Sequence, residues 1–292
     1  MLIKSFILSS LAVLSLALRE KHNGRPSKGS FLRCGLGEPP KALIEQASAF
    51  QVAEQSLTSQ DLVAAGSIIV KVYYHVVAID ESQENGYVPD YLIRRQHDVL
   101  NAAFRGSGMS FALPKIDYTI NPDWAMGSND TEMKTKLRKG RYQDLNIYIT
   151  QAPMGMPGLL GVCTFPTYGA EWTPEFKVDG CTVHAETLPE GKFEEVNLGY
   201  VVVHEVGHWF GLLHTFQGGC IEGDFVDDTP AQDRPNFGCP KQVPDTCVGD
   251  DFPGLDPIHN YMDYSDDVCM NSFTVGQINR MKSFWNLWRK GM

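Results

Sequence analysis

Histidines 204, 208 and 214 fall in the run His204-Glu205-Val206-Gly207-His208-Trp209-Phe210-Gly211-Leu212-Leu213-His214. Residues four apart on an α-helix share one face, so His204 and His208 can point two imidazoles at a single metal ion. Gly211 stands where that helix has to stop if His214 is to swing back as a third ligand. Glycine allows such a turn without a Cβ penalty. Three neutral imidazoles with one position left open describe a catalytic zinc site, because a structural zinc normally closes its fourth position with protein. Glu205 projects at another angle of the same helix, toward the open position. A carboxylate there can take a proton from a water polarised by the metal and return it to a leaving amine. The bland alternative is a buried apolar helix that happens to carry histidines. Five specified positions within eleven residues weigh against it.

The elements that must position this helix precede it. Residues 68–77 are β-branched and aromatic, which predicts a strand buried on at least one face. Pro89-Asp90 opens a helix to about Phe104, with Leu92, Ile93, Gln96, Val99, Leu100 and Ala103 at helical spacing and Gly106 beyond its end. Residues 111–120 alternate as a strand, 130–138 read as a short helix, 144–150 as a strand and 181–185 as another. Between the last two, 154–165 is loose and Gly-rich. Gly161-Val162-Cys163-Thr164 is the candidate edge strand that would line the cleft and pair with extended substrate. Strands alternating with helices predict an α+β fold, a twisted mixed sheet packed on helices. Thr274 with Gln277 three residues on predicts a capped final helix running through Trp288. His75, His97 and His184 lie in these elements and read as structural.

Composition bounds the rest. The chain has 292 residues, 43% hydrophobic, with a formal net charge of −10. That is enough material for a sizeable core, and the acidity argues against a nucleic-acid partner or a polybasic membrane anchor. Lys4 followed by an apolar run over 6–18 fits a signal peptide, residues 1–18, with Ser15 and Ala17 near the cleavage point. The run is too short to span a bilayer, and no later segment approaches that length. Secretion follows, and disulfides become permissible. Residues 19–66 then form a propeptide-like segment, with a helix from Lys41 to about Gln55 and a linker at 64–66, ahead of a catalytic domain over 67–292. Seven cysteines leave one over. Cys34, inside Arg33-Cys34-Gly35, stands apart from the others. As a thiolate on the zinc it would keep the enzyme latent until the segment is cut away. An intermolecular disulfide and an unpaired surface thiol are the alternatives. Cys163 and Cys181, close in sequence, are expected to pair. Asn129-Asp130-Thr131 is a glycosylation sequon at a predicted surface turn.

Downstream of His214 the chain resembles a known family. Residues 214–220 (His-Thr-Phe-Gln-Gly-Gly-Cys), 223–230 (Gly-Asp-Phe-Val-Asp-Asp-Thr-Pro) and 256–264 (Asp-Pro-Ile-His-Asn-Tyr-Met-Asp-Tyr) are similar to the pappalysin (cytophagalysin) family of metzincin zinc proteases. Secreted fungal extracellular metalloproteases are the nearest likeness. The resemblance implies a C-terminal subdomain carrying a Met-turn, with Met262 packed beneath the three histidines. It implies that Tyr264 hydrogen-bonds the tetrahedral intermediate. It implies a structural calcium in the 224–229 loop, with Asp224, Asp227 and Thr229 as ligands. It also implies disulfides Cys220–Cys247 and Cys239–Cys269, although sequence alone leaves three connectivities open for four cysteines. The expected activity is hydrolysis of extended polypeptide substrates by a monomer. The competing expectation is an inactive metal-binding or interaction protein on the same fold, which Glu205 argues against.

Overall fold

The computed structural model describes residues 31–55 and 67–291. The signal-peptide assignment for 1–18 and the linker reading of 64–66 lie outside the described residues. The sheet is assembled from strands β1 (Leu32–Cys34), β2 (Ile68–Ala78), β3 (Met109–Ile120), β4 (Leu145–Thr150), β5 (Leu159–Cys163) and β6 (Cys181–His184). Their order across the sheet is β1-β5-β6-β4-β2-β3. All neighbours run parallel except β5 and β6, which are antiparallel. A mostly parallel sheet is covered on both faces, and β4 accordingly is buried at every residue.

The longer helices are α1 (Lys41–Glu54), α2 (Asp90–Ala103), α3 (Asp130–Leu137), α4 (Tyr200–Trp209) and α5 (Val275–Phe284). Helix α2 buries Leu92, Ile93 and Leu100 in the core and aims Gln96 at the start of α4, donating from Nε2 to Gly199 O at 3.0 Å. Gly199 takes φ +89°, and a Cβ there would sit 2.4 Å from Gln96 Oε1, so this junction needs glycine. Helix α4 lies in the main core, with Val201 to Trp209 all buried. Helix α5 carries the capping box at Thr274 and Gln277. The regular helix ends earlier than the sequence predicts, at Phe284, and widens into a π-helical turn over Trp285–Arg289. Arg289 is thereby seated over the Trp209 ring, 3.8 Å from its centroid, and against Asp179.

Three disulfides join Cys163 to Cys181, Cys220 to Cys247 and Cys239 to Cys269. The first staples β5 to β6 at paired positions. The other two tie the turn-rich stretch between α4 and α5, which has little regular structure of its own to hold it. The segment ahead of β2 docks onto this body in two places. Strand β1 adds to the free edge of β5, and α1 buries Leu43 and Ala47 against Leu213, Phe284 and Trp288.

Candidate active site

Helix α4 ends as the spacing predicts. Gly211 has φ +94°, and a Cβ there would meet the Phe284 ring at 2.4 Å, so the chain turns sharply and carries His214 back toward His204 and His208. All three histidines are buried. His204 Nδ1 lies 2.7 Å from Tyr261 O and His208 Nδ1 lies 2.8 Å from Leu212 O. A ring nitrogen facing a carbonyl must be the protonated one, so the Nε2 atoms of both rings present lone pairs. Those lone pairs converge: His208 Nε2 is 3.1 Å from His204 Nε2 and 3.2 Å from His214 Nε2. Burial pushes His208 down to about 4, and burial with mutual repulsion holds His204 and His214 well below the usual histidine range. Neutral rings with facing lone pairs repel unless a cation sits among them, so the donor set fits a zinc ion.

Cys34 closes the cluster from the opposite wall. Its Sγ and one ring nitrogen from each histidine lie within 4.8 Å of one another, and it is the free cysteine of the chain. Burial first, then the Glu205 charge, push the thiol well up, so a cation in the cluster is what would make it a thiolate. Glu205 is fully buried; neither carboxylate oxygen makes a full hydrogen bond, although the Cys34 thiol lies close enough to stabilise its charge. Burial pushes Glu205 up to about 8, offset in part by the Cys34 thiol and Arg33. Tyr264 OH lies 3.2 Å from His214 Nε2 and 3.5 Å from Cys34 O. Met262 packs beneath α4, where a Cβ on Gly207 would fall 2.4 Å from its sulfur. Its turn is pinned by Asn260, whose Oδ1 accepts from Met262 N while its Nδ2 donates to Gln277 Oε1 of α5.

Two features of the site escape a reading of the sequence. Gly161 on β5 faces Glu205 so closely that a Cβ would lie 2.8 Å from Oε1. Arg33 is buried next to Cys34, with Nη2 donating to Asp267 Oδ1 at 2.6 Å and Nη1 donating to Ser265 O at 2.8 Å. Asp267 Oδ2 accepts from the backbone N–H groups of Leu198 and Tyr200, at the start of α4. The only sequence signal was the adjacency of Arg33 to Cys34, and nothing local linked either to a residue more than 230 positions away. On the other side of Cys34, Gly35, Leu36 and Pro40 close over a cavity of about 440 Å³ walled by Tyr142, Val162 and Phe165. The β5 edge expected to receive substrate is occupied by β1, in parallel register with Cys34 opposite Gly161.

The 224–229 loop is divided. Asp224 is buried, and its Oδ2 and Thr229 Oγ1 lie near each other with neither making a full hydrogen bond. Burial pushes Asp224 up to about 7. Both carboxylate oxygens of Asp227 instead accept from α1 and its cap, from Gln51 Nε2 at 2.6 Å and Gln55 Nε2 at 2.9 Å. Asn129 is exposed in a left-handed turn just before α3. His75, His97 and His184 lie away from the cluster, each bonded within the fold.

A family model described as pregnancy-associated plasma protein-A, a peptidase family, matches residues 128–286. The chain belongs to this family. An extracellular metalloprotease of Pyricularia oryzae is 47% identical over 262 residues, covering 89% of this chain and 90% of that protein. Extracellular metalloprotease 1 of Coccidioides posadasii is 43% identical, with 97% of each chain covered. Among solved structures, mature mirolysin of Tannerella forsythia in complex with a cleaved peptide is 27% identical with a TM-score of 0.61, covering 75% of this chain and 92% of that one. A promirolysin variant at 24% identity and a TM-score of 0.62 covers 87% and 93%, and shows the shared fold. The enzyme is a metalloprotease with the metzincin fold, and it is extracellular like its fungal relatives. Among the described residues no helix is long and apolar enough to cross a membrane.

Proposed function

We propose that the enzyme is a zinc endopeptidase in its latent form, with His204, His208 and His214 holding the metal and Cys34 blocking it. The convergence of three unprotonated ring nitrogens on the Cys34 sulfur carries this reading. When bound, zinc supplies a Lewis acid that polarises the scissile carbonyl and lowers the pKa of water. Glu205, buried and with neither carboxylate oxygen fully hydrogen-bonded, accepts the proton of the attacking water on a carboxylate oxygen and later delivers it to the leaving amine. Tyr264, whose hydroxyl lies at the His214 side of the cluster and is kept protonated by burial, donates to the developing oxyanion. The edge of β5 pairs with the substrate backbone once β1 has left.

The Arg33 pocket supports a preference. With the prosegment gone, Asp267 would lose its guanidinium counter-charge and Oδ1 its partner at the bottom of the pocket Arg33 vacates, which is costly. A substrate Arg or Lys next to the scissile bond relieves that cost, so peptides carrying one there are the favoured class. Asp224 and Thr229 support the calcium reading, because a buried carboxylate oxygen beside a hydroxyl, neither fully hydrogen-bonded, suits a hard cation. Asp227 would join them only after exchanging the α1 glutamines. Asn129 is open to glycosylation. The experiment is peptide-library cleavage by the processed enzyme with and without chelator, alongside an Asp267→Asn variant. Metal-dependent cuts beside Arg or Lys, with at least a tenfold loss of that preference in the variant, are expected. Chelator-resistant cleavage refutes the zinc mechanism. A preference unchanged in Asp267→Asn refutes the pocket. Cys34→Ala precursor should be active without processing; if it is as silent as the wild type, the thiol is not the lock.

A further inference from the structure

The lock and the pocket together constrain how the enzyme is switched on. To free the cluster, the chain must be cut between Cys34 and β2, an inner strand paired on both sides that cannot be surrendered. Every Lys and Arg ahead of β2 can be read directly: Lys4, Arg19, Lys21, Arg25, Lys28, Arg33 and Lys41. Lys4, Arg19, Lys21, Arg25 and Lys28 precede Arg33, so a cut beside any of them shortens the segment and leaves the Arg33–Cys34 strand in place. Arg33 is itself buried in the pocket and its strand is paired to β5. Lys41 begins α1 and directly follows Pro39 and Pro40, which lack the N–H groups that an extended substrate offers to a strand edge. From Ala42 to Val70 there is no Lys or Arg, and the first adjacent basic pair of the chain, Arg94-Arg95, lies within α2.

We propose that the enzyme does not mature itself: a second endopeptidase, one that needs no basic side chain at its cut, must hydrolyse a peptide bond between Cys34 and β2. The step consumes one water, which adds hydroxyl to the carbonyl carbon and hydrogen to the released amine. Protease action at paired basic residues is excluded as the unlocking step by the same absence. This inference rests on the basic-side-chain reading of the Asp267 pocket. It makes activity dependent on the presence of a differently specific protease in the same extracellular space.

The test uses full-length precursor and processed enzyme recovered from culture medium. Wild-type precursor and an Ala65→Arg precursor are each incubated with a catalytic amount of processed enzyme, and products are read by mass spectrometry and by activity. The Ala65→Arg precursor is expected to be cut beside position 65 and to gain at least tenfold in activity, while the wild type stays intact from 35 to 67. Cutting of the wild type anywhere in that range, Lys41 included, overturns the proposal. A Glu205→Gln precursor secreted by the same host should carry the same mature N-terminus as the wild type. An uncut Glu205→Gln product overturns it too. The peptide library separates the two levels of failure: a library with no basic preference sinks the pocket reading and this inference with it. A basic preference alongside self-cutting sinks the inference alone.

Discussion

Two carboxylates buried in the same domain have opposite surroundings. Asp179 is enclosed by donors: Arg289 reaches both oxygens, Trp209 Nε1 and Arg138 Nη1 reach Oδ2, and Thr164 Oγ1 reaches Oδ1. Burial alone would raise its pKa, but Arg289 and then Arg138 outweigh it and hold the carboxyl below its usual range. Glu205 is just as deeply buried and has no such shell, so burial wins and its pKa rises to about 8. A buried acid with every lone pair satisfied ties elements together; here it locks the C-terminal turn onto α4. A buried acid left without donors adds little to stability and is available for proton transfer. The same contrast separates Asp267, whose Oδ1 is satisfied only while Arg33 is in place, from either.

That contrast can be broken from both ends. The largest effect belongs to Glu205→Gln in the processed enzyme, with kcat falling roughly 10³-fold or more while the thermal midpoint stays within a few degrees. A variant that keeps its rate would remove Glu205 from the proton transfer. Asp179→Asn should do the reverse, costing about 3–5 kcal/mol in denaturant unfolding because two buried guanidinium groups lose their counter-charge, with little change in the rate of the folded fraction. Acid titration sharpens this. Asp179 has a depressed folded pKa, so its stabilisation is complete above the unfolded value of about 4 and is lost as pH falls through the folded one. Below about pH 4 the gap between wild type and Asp179→Asn should therefore narrow, and a gap constant with pH would contradict the ion-pair account. The smallest effect comes from Gly161→Ala, whose methyl must displace the Glu205 carboxylate. A roughly 10- to 100-fold loss in kcat is expected, with the metal content of the purified protein unchanged. Full activity in that variant would mean that Glu205 has room to move.

Local sequence determined a good deal of this protein. The zinc helix, its glycine stop, the β2 strand, the α2 helix and the α5 capping box were legible because each depends on residues within one or two turns of one another, where periodicity and backbone preference act directly. Cys34 could be marked as the odd cysteine for the same reason. What only the tertiary structure decided is what those local pieces face. The sheet order sets β1 on the edge of β5, which brings Cys34 to histidines about 170 residues away and Arg33 to Asp267. The closeness of Gly161 to Glu205, the split of Asp227 from Asp224, and the donor shell of Asp179 likewise come from packing between distant segments. Charge satisfaction is a property of the folded surroundings, and no spacing along the chain encodes it.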